Sequence, residues 1–322
     1  MEVIIMTIDV AAIGTLNVDI LLHGTAPRDF DQLARWTGLG EVTLTTAGSV
    51  GYTAQDLAKL GLKVGLMSCV GDDIFGAFIL DEMKDKGIDT EWVQVEEGMA
   101  SAVGIYPLLF GGNKRPAAGR LASHAPWPLV FNKAQLDYLS KARLLHCGGY
   151  LHYPQVWGEP TETIYKFAKE CGLLTSIDSQ FPTVPVEGPW IKAFGNLLRY
   201  VDILFMDEYE ARSTTGCESL NEAAEVVRAQ GTSTVVIKRG AKGCIVTTAD
   251  KSIELPAFPV NTNEIIDAVG AGDAFDAGFL AGILAGWDEV KAGRLASHVA
   301  TYSLKSAGGS LGVPENRIED LI

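Results

Sequence analysis

Short, unbroken apolar runs recur along the second half of the chain, separated by stretches in which apolar residues return every three to four positions. The runs are Leu144–Cys147, Leu173–Ile177, Ile203–Met206 and Thr234–Ile237, with helical patterns near Glu162–Cys171 and Leu220–Gln230. A run without polar alternation suits a strand buried on both faces, and strands alternating with helices build β-α-β units around a mainly parallel sheet. Val10–Gly14 and Val64–Gly71 repeat the strand profile earlier in the chain. Between them, Ala47–Gly61 reads as a glycine turn entering an amphipathic helix with Leu57 and Leu60 inward. Asp72 and Asp73 then cap a helix running to about Lys86.

The pattern weakens twice. Residues 19–46 hold extended patches at Asp19–Leu22 and Glu41–Thr46 around a loop with Pro27 and Gly38. Residues 99–125 hold another, Ala102–Phe110, followed by Gly111 and Gly112. Both read as insertions that together form a small β lid on one α/β core made of residues 1–18, 47–98 and 126–322.

Composition narrows the function. A chain of 322 residues, 47% hydrophobic and 20% charged, is ordinary for a soluble globular protein. Its formal charge of −14 argues against a nucleic-acid or anionic-membrane partner, which would need a basic footprint. Cys69, Cys147, Cys171, Cys217 and Cys244 are scattered, with no C-x-x-C pair, so a reducing cytoplasm is expected rather than a disulfide framework or a zinc site. The N-terminal segment lacks the basic region of a secretory signal. The longest apolar stretch, residues 265–286, is interrupted by Asp267, Asp273 and Asp276 and is too charged to span a bilayer.

That same stretch carries the strongest chemical signal. Gly270-Ala271-Gly272 before Asp273 reads as a tight turn opening a buried helix, whose N–H groups and dipole would hold an anion. A carboxylate there suits proton abstraction beside a transferring phosphoryl group, and it equally suits an N-terminal cap. An aspartate with an ordinary pKa would suffice for that base. No P-loop, no G-x-G-x-x-G after a strand and no H-E-x-x-H occurs, so a phosphate site here must be built another way. Asn17 and Asp19, in the elbow after the first strand, are candidates for binding hydroxyl groups or for a local turn. Asp207 and Glu210, one helical turn apart, suit either a water-coordinated magnesium ion or a solvated acidic helix start. Lys238 at a strand end suits a phosphate partner or a surface lysine, and Lys114, Arg115 and Arg120 suit an anion reader or a solvated loop.

DAVGAGDAF (267–275) resembles the second signature of the ribokinase-like (PfkB) carbohydrate kinase family. GTLNVD (14–19), AGSVGYTAQDLAKLG (47–61), VGDDIFG (70–76), DEYEA (207–211) and KRGAKG (238–243) are similar to further family motifs, in the family's order over nearly the whole chain. The resemblance implies a three-layer α/β/α core, and ATP-dependent phosphorylation of a hydroxymethyl group on a sugar or related polyol, with Mg2+. By position, Asp273 is the base and Gly270, Ala271 and Gly272 form the anion hole. Asn17, Asp19, Gly48 and Tyr52 line the acceptor site, and Lys238, Gly240, Gly243 and Ser297 border ATP. Asp207 and Glu210 face the metal, and Asp267 falls by the family's monovalent-cation (K+) loop.

The chain departs from the family pattern at four places. Ala47-Gly48 replaces a glycine pair, Tyr52 an asparagine, Asp207 an asparagine and Val269 a commoner polar residue. Tyr52 could stack on a ring or base, or belong to the core. Tyr52 and Asp207 motivate one alternative, a non-catalytic sugar or nucleoside sensor on the family's fold, and the aromatics Tyr52, Tyr106 and Trp127 motivate another, a nucleoside kinase of the same family. A third, a hydrolase using Ser49 in Ala47–Gly51 with Asp267 and His298, rests on a near match to a nucleophile elbow. A homodimer through the lid strands is a further expectation.

Overall fold

The computed structural model describes residues 8–24, 27–36, 40–108, 118–120 and 130–315. In chain order its strands are β1 (Val10–Gly14), β2 (Asn17–Gly24), β3 (Gly40–Ala47), β4 (Val64–Met67), β5 (Cys69–Gly71), β6 (Gln94–Glu96) and β7 (Ala102–Pro107). They continue with β8 (Ala118–Arg120), β9 (Leu144–Gly148), β10 (Leu174–Asp178), β11 (Ile203–Asp207), β12 (Thr234–Lys238), β13 (Cys244–Thr247) and β14 (Ser252–Leu255). The helices are α1 (Phe30–Ala34), α2 (Ser49–Lys59), α3 (Ile74–Asp85), α4 (Lys133–Leu139), α5 (Glu159–Glu170), α6 (Glu208–Thr215), α7 (Leu220–Arg228), α8 (Ala271–Leu284) and α9 (Glu289–Ser303).

Eight strands form the main sheet in the order β14-β13-β12-β11-β10-β9-β1-β4, parallel except where β13 and β14 turn back at one edge. Alternate residues of the same strand feed opposite cores, as a pleated strand requires. Val10, Ala12, Leu144 and Phe205 pack with Leu57 of α2, Phe279 of α8 and Leu295 of α9. Ala11, Ile13, Leu145 and Leu204 pack with Tyr165 of α5 and Val227 of α7 on the other side. The result is the mainly parallel sheet that the apolar runs predict, in the three-layer α/β/α arrangement that the resemblance implies. The parallel strands are uniformly apolar because helices cover both faces.

A second sheet, β3-β2-β7-β8, is drawn from the two weakly patterned segments. Asn17 and Asp19 therefore lie within strand β2, and only Thr15 and Leu16 separate it from β1, so the predicted elbow is shorter than the sequence suggested. The loop expected around Pro27 contains a short exposed helix, α1, which the Asp29 side chain caps by accepting from Gln32 N. Gly38, Phe110, Gly111 and Gly112 lie outside the described residues.

The single strand expected over Val64–Gly71 is two. It breaks at Ser68, whose Oγ donates to the Gly14 carbonyl at 2.7 Å. Beyond that point β5 leaves the main sheet and pairs with β6. A serine that satisfies the last carbonyl of β1 thus ends the neighbouring strand.

Helix α8 is buried over most of its length and lies against α9. Its glycines permit the approach: a Cβ on Gly278 would sit 2.8 Å from Ala296 Cα, and one on Gly282 would sit 2.9 Å from Ala292 Cα. Both obstacles are backbone atoms that cannot step aside. Gly278→Val is expected to lower stability by about 1–3 kcal/mol, the usual cost of overpacking, as read by urea denaturation.

Candidate active site

The carboxyl ends of β1, β9, β10, β11 and β12 lie side by side, with Gly14 opposite Gly148, Gly148 opposite Asp178 and Asp207 opposite Lys238. In an open α/β sheet this edge is where ligands bind. Helix α8 begins here. Gly270 adopts the left-handed conformation, φ 74°, and a Cβ on it would lie 3.1 Å from the Tyr52 ring, so glycine alone fits the turn. The N–H groups of Gly272 and Asp273 fall in the first helical turn, where no carbonyl one turn earlier accepts them.

Lys238 reaches the same place from β12. A Cβ on Gly272 would be 3.4 Å from its Nζ. The ammonium is shared by Asp276 at 3.0 Å and Asp178 at 3.3 Å, both carboxylates being almost fully buried. Burial alone would depress the lysine pKa, but Asp178, Asp276 and Glu210 outweigh it and hold Lys238 cationic. Lys238 is thus neither a surface lysine nor unpaired.

Asp273 is 9% exposed, with Gln180 Nε2 at 3.5 Å from Oδ1. Burial, and then the charge of Asp178, pushes its carboxyl well above the usual aspartate range despite Lys238. Gln180 is the one non-glycine among the described residues with positive φ, 49°. Local strain of this kind concentrates at functional sites.

Asn17, Asp19, Gly48 and Tyr52, expected from the sequence to line an acceptor site, form a connected set. Asn17 Nδ2 donates to Asp19 Oδ1 at 2.6 Å, and the Tyr52 hydroxyl donates to Asp19 Oδ2 at 2.7 Å. Gly48, φ 87°, caps α2 where a Cβ would meet the Thr15 carbonyl oxygen at 2.2 Å and Asn17 Oδ1 at 2.8 Å. Tyr52 is only 3% exposed and packs between the Gly270 turn and Gly309. Tyr106 of β7 also approaches, since a Cβ on Gly104 would contact both its ring and Asp19 Oδ1. Lys114, Arg115 and Trp127 lie outside the described residues, and of Arg120 only the strand position is described.

Asp207 and Glu210 make a reciprocal capping box at the start of α6. Asp207 Oδ1 accepts from Glu210 N at 2.7 Å, and Glu210 Oε2 accepts from Asp207 N at 2.8 Å. Burial, then Asp178, pushes the Glu210 carboxyl up to about 8. Among the described residues no group of three or more His, Cys, Asp or Glu side chains could hold a metal ion unaided. Ser297 stands apart: its Oγ accepts from Phe258 N at 2.6 Å, beside a stack of Phe258, His298 and Tyr302. Gly240 and Gly243 bracket the turn after Lys238, and Gly243 N donates to the Gly240 carbonyl at 2.9 Å. Asp267 accepts from Val269 N at 3.0 Å and Gly308 N at 3.3 Å, tying the α8 turn to a later loop.

Sequence reasoning missed Asp178, Asp276, Gln180 and Asp56. Asp178 ends an apolar run, the same cue that marked Lys238. Asp56 lies one turn beyond Tyr52 with both oxygens buried, and burial raises its carboxyl to about 7. The hydrolase triad does not form: Ser49 Oγ has no hydrogen-bond partner among the described residues, and His298 stacks on Phe258 and Tyr302.

The model of the pfkB family carbohydrate kinases matches residues 9–316. The chain belongs to this family. It is 26% identical over 320 residues to a Bacillus subtilis ribokinase, covering 98% of this chain and 99% of that protein. It is 27% identical over 307 residues to a Thermococcus kodakarensis cytidine kinase, covering 94% and 98%. An E. coli structure described as ribokinase II, in complex with ATP and Mg2+, superposes with a TM-score of 0.78 at 20% identity, covering 97% of each chain. The family's ribokinase-like fold is therefore the fold of this chain.

Where the residue 52 side chain holds Asp19, Tyr52→Phe removes one buried hydrogen bond and leaves the ring. A stability loss of about 1.5–3 kcal/mol is expected, the range for a bond to a charged partner, measured by urea denaturation.

Proposed function

We propose that the protein transfers the γ-phosphoryl group of ATP to a hydroxymethyl group of a sugar or a nucleoside. Family membership supports a sugar or nucleoside kinase. The observation that carries the finer reading is the convergence of Asp273, the Gly270 turn and Lys238 at one end of the parallel strands.

In this reading the acceptor hydroxyl lies between Asp19 and Asp273. Asp273 takes its proton as the oxygen attacks the γ-phosphorus. An O–P bond forms, the bond from the γ-phosphorus to the β-phosphate oxygen breaks, and ADP leaves with that electron pair. The N–H groups of Gly272 and Asp273 and the Lys238 ammonium face the charge that develops on the transferred group. A buried, raised aspartate is a stronger base than an exposed one, which suits proton transfer near neutral pH.

The residues fit Mg2+ as an ion that keeps most of its waters and binds chiefly through substrate phosphates. Glu210 and Asp207 are the carboxylates proposed to face it, because both sit at the β11 end opposite Lys238. When bound, Mg2+ would neutralise phosphate charge. A monovalent cation near Asp267 is likewise proposed, from its place beside the α8 turn. Five free cysteines suit a reducing cytoplasm. No helix among the described residues is long and apolar enough to cross a membrane.

A nucleoside acceptor is kept beside a sugar because the chain resembles a cytidine kinase as extensively as a ribokinase. A homodimer is proposed from the lid. One lid face holds Asp19 and Leu21, whereas the opposite face exposes Val42 at 66%, Leu44 at 43% and Ile105 at 44%.

ADP release from ATP is expected in the presence of Mg2+ and an acceptor, and Asp273→Asn should reduce kcat by about 10²-fold or more. Turnover should also fall as pH drops through the Asp273 pKa, because the protonated carboxyl cannot act as a base. Since burial raises that pKa, the acid limb should lie above the ordinary aspartate value of about 4. Near wild-type turnover in the variant would remove Asp273 from this role. Sedimentation velocity at micromolar protein should give a dimer, and Val42→Lys should give a monomer.

A further inference from the structure

Asp276 is a wholly buried carboxylate that no motif marks and the transfer scheme leaves unused. It lies on α8 three residues after Asp273, a spacing that puts both side chains on one helix face. Its two oxygens accept from Lys238 Nζ at 3.1 and 3.0 Å, and no other hydrogen bond among the described residues reaches its side chain. The Lys238 ammonium also lies over the Phe205 ring, 5.9 Å from its centroid. That ring stands edge-on to Phe279, one turn beyond Asp276 on α8, with centroids 5.5 Å apart. His146 lies edge-on to Phe205 at 6.5 Å, and burial holds its imidazole neutral by lowering its pKa to about 4. The lysine is therefore fixed by a carboxylate at its tip and by rings along one side.

We propose that Asp276 is a positioning residue, which holds the Lys238 ammonium where the transferred phosphoryl group arrives and keeps it from pairing with Asp273. The inference rests on the kinase reading for the roles of Lys238 and Asp273 and adds what keeps the two apart. Lys238 lies close enough to the base for the choice to matter, since a Cβ on Gly272, the residue before Asp273, would be 3.4 Å from its Nζ. The carboxyls that act on the ammonium are Asp178, Asp276, Glu210 and Asp273. An ion pair with Asp273 would stabilise that carboxylate, weaken it as a base and draw the ammonium off the phosphoryl group. Asp276 holds the ammonium instead because it meets it with both oxygens from a fully buried position, where a charge pair is least screened. Burial raises both aspartates. At Asp276, Lys238 is the first influence to oppose burial, whereas at Asp273 the charge of Asp178 adds to burial before Lys238 opposes it. The other groups facing Asp273 are Asp56 and Tyr52 from α2 and Asp19 from β2, and those facing Asp276 are Asp178 and Asp273. These neighbours are all acids, so the placement of Lys238 governs the base.

The test uses the full chain. Carboxyl-carbon NMR of the unliganded protein follows Asp273 and Asp276 with pH in the wild type and in Asp276→Asn. In the wild type, Asp276 should release its proton at a lower pH than Asp273. In Asp276→Asn, Asp273 loses a like charge and gains the ammonium, so its titration should move down by about one pH unit or more. ADP release from ATP and Mg2+ is then measured with whichever of D-ribose, D-fructose and cytidine is turned over. The acid limb of kcat should move down with the titration, while kcat above it falls about tenfold or more, the cost of a misplaced group. In the Lys238→Met background, Asp276→Asn should change kcat by less than about twofold, because Asp276 acts through Lys238. An equal loss in both backgrounds, an unmoved Asp273 titration in the variant, or the reverse order of the two titrations in the wild type would overturn the proposal. The last of these needs no variant, so it remains decisive even if Asp276→Asn does not fold. The NMR measurement needs no substrate: the expected titrations with no ADP from any probe remove the kinase reading and leave the arrangement of Asp276, Lys238 and Asp273 standing.

Discussion

One buried ammonium organises the edge of the main sheet where its parallel strands end. Lys238 carries the positive charge that carboxyls from β10 and α8 share, and Glu210 and Asp273 lie within its field. A cation taken out of water is tolerable only when its partners are well placed, so the demand runs outward from Lys238. Asp178 must end β10 at one point and Asp276 must face inward from α8. The same two requirements fix the helix start, and with it the position of Asp273.

A second restraint joins the smaller sheet to the main one. Asp19 lies on β2, yet its two oxygens accept from Asn17 and from Tyr52, and Tyr52 belongs to α2, which packs on the main sheet. The Tyr52 ring lies under the Gly270 turn. A single side chain therefore touches the Asp19 carboxylate and the Gly270 turn together. The asparagine usual at this position in the family is exchanged for a residue that ties two parts of the site instead of standing between them.

Much of the core was legible because burial on both faces leaves an unmistakable run. Val10–Gly14 reads directly as β1, and Thr234–Ile237 misses only Lys238. The break at Ser68 was not legible, since a hydrogen bond to Gly14, 54 residues earlier, creates it. In the site, glycines beside an acid announced the α8 turn because such a turn constrains its own sequence. Asp178 gave no comparable sign. Its significance comes from Lys238, 60 residues later, and a lone aspartate looks the same whether it lies at a surface or in a cleft.

The charge network also bears on how the chain is made. Asp178 is synthesised 60 residues before Lys238, and Asp276 follows 38 residues after that. On the ribosome, Asp178 must stay hydrated until its counterion emerges, and the sheet face that α8 covers stays bare until later still. Acquisition of the native state is thus deferred until α8 has been made, a high-contact-order route that slows folding. A prematurely terminated chain would present apolar sheet with nothing to close it, which makes such products clients for chaperones and proteases rather than smaller working enzymes.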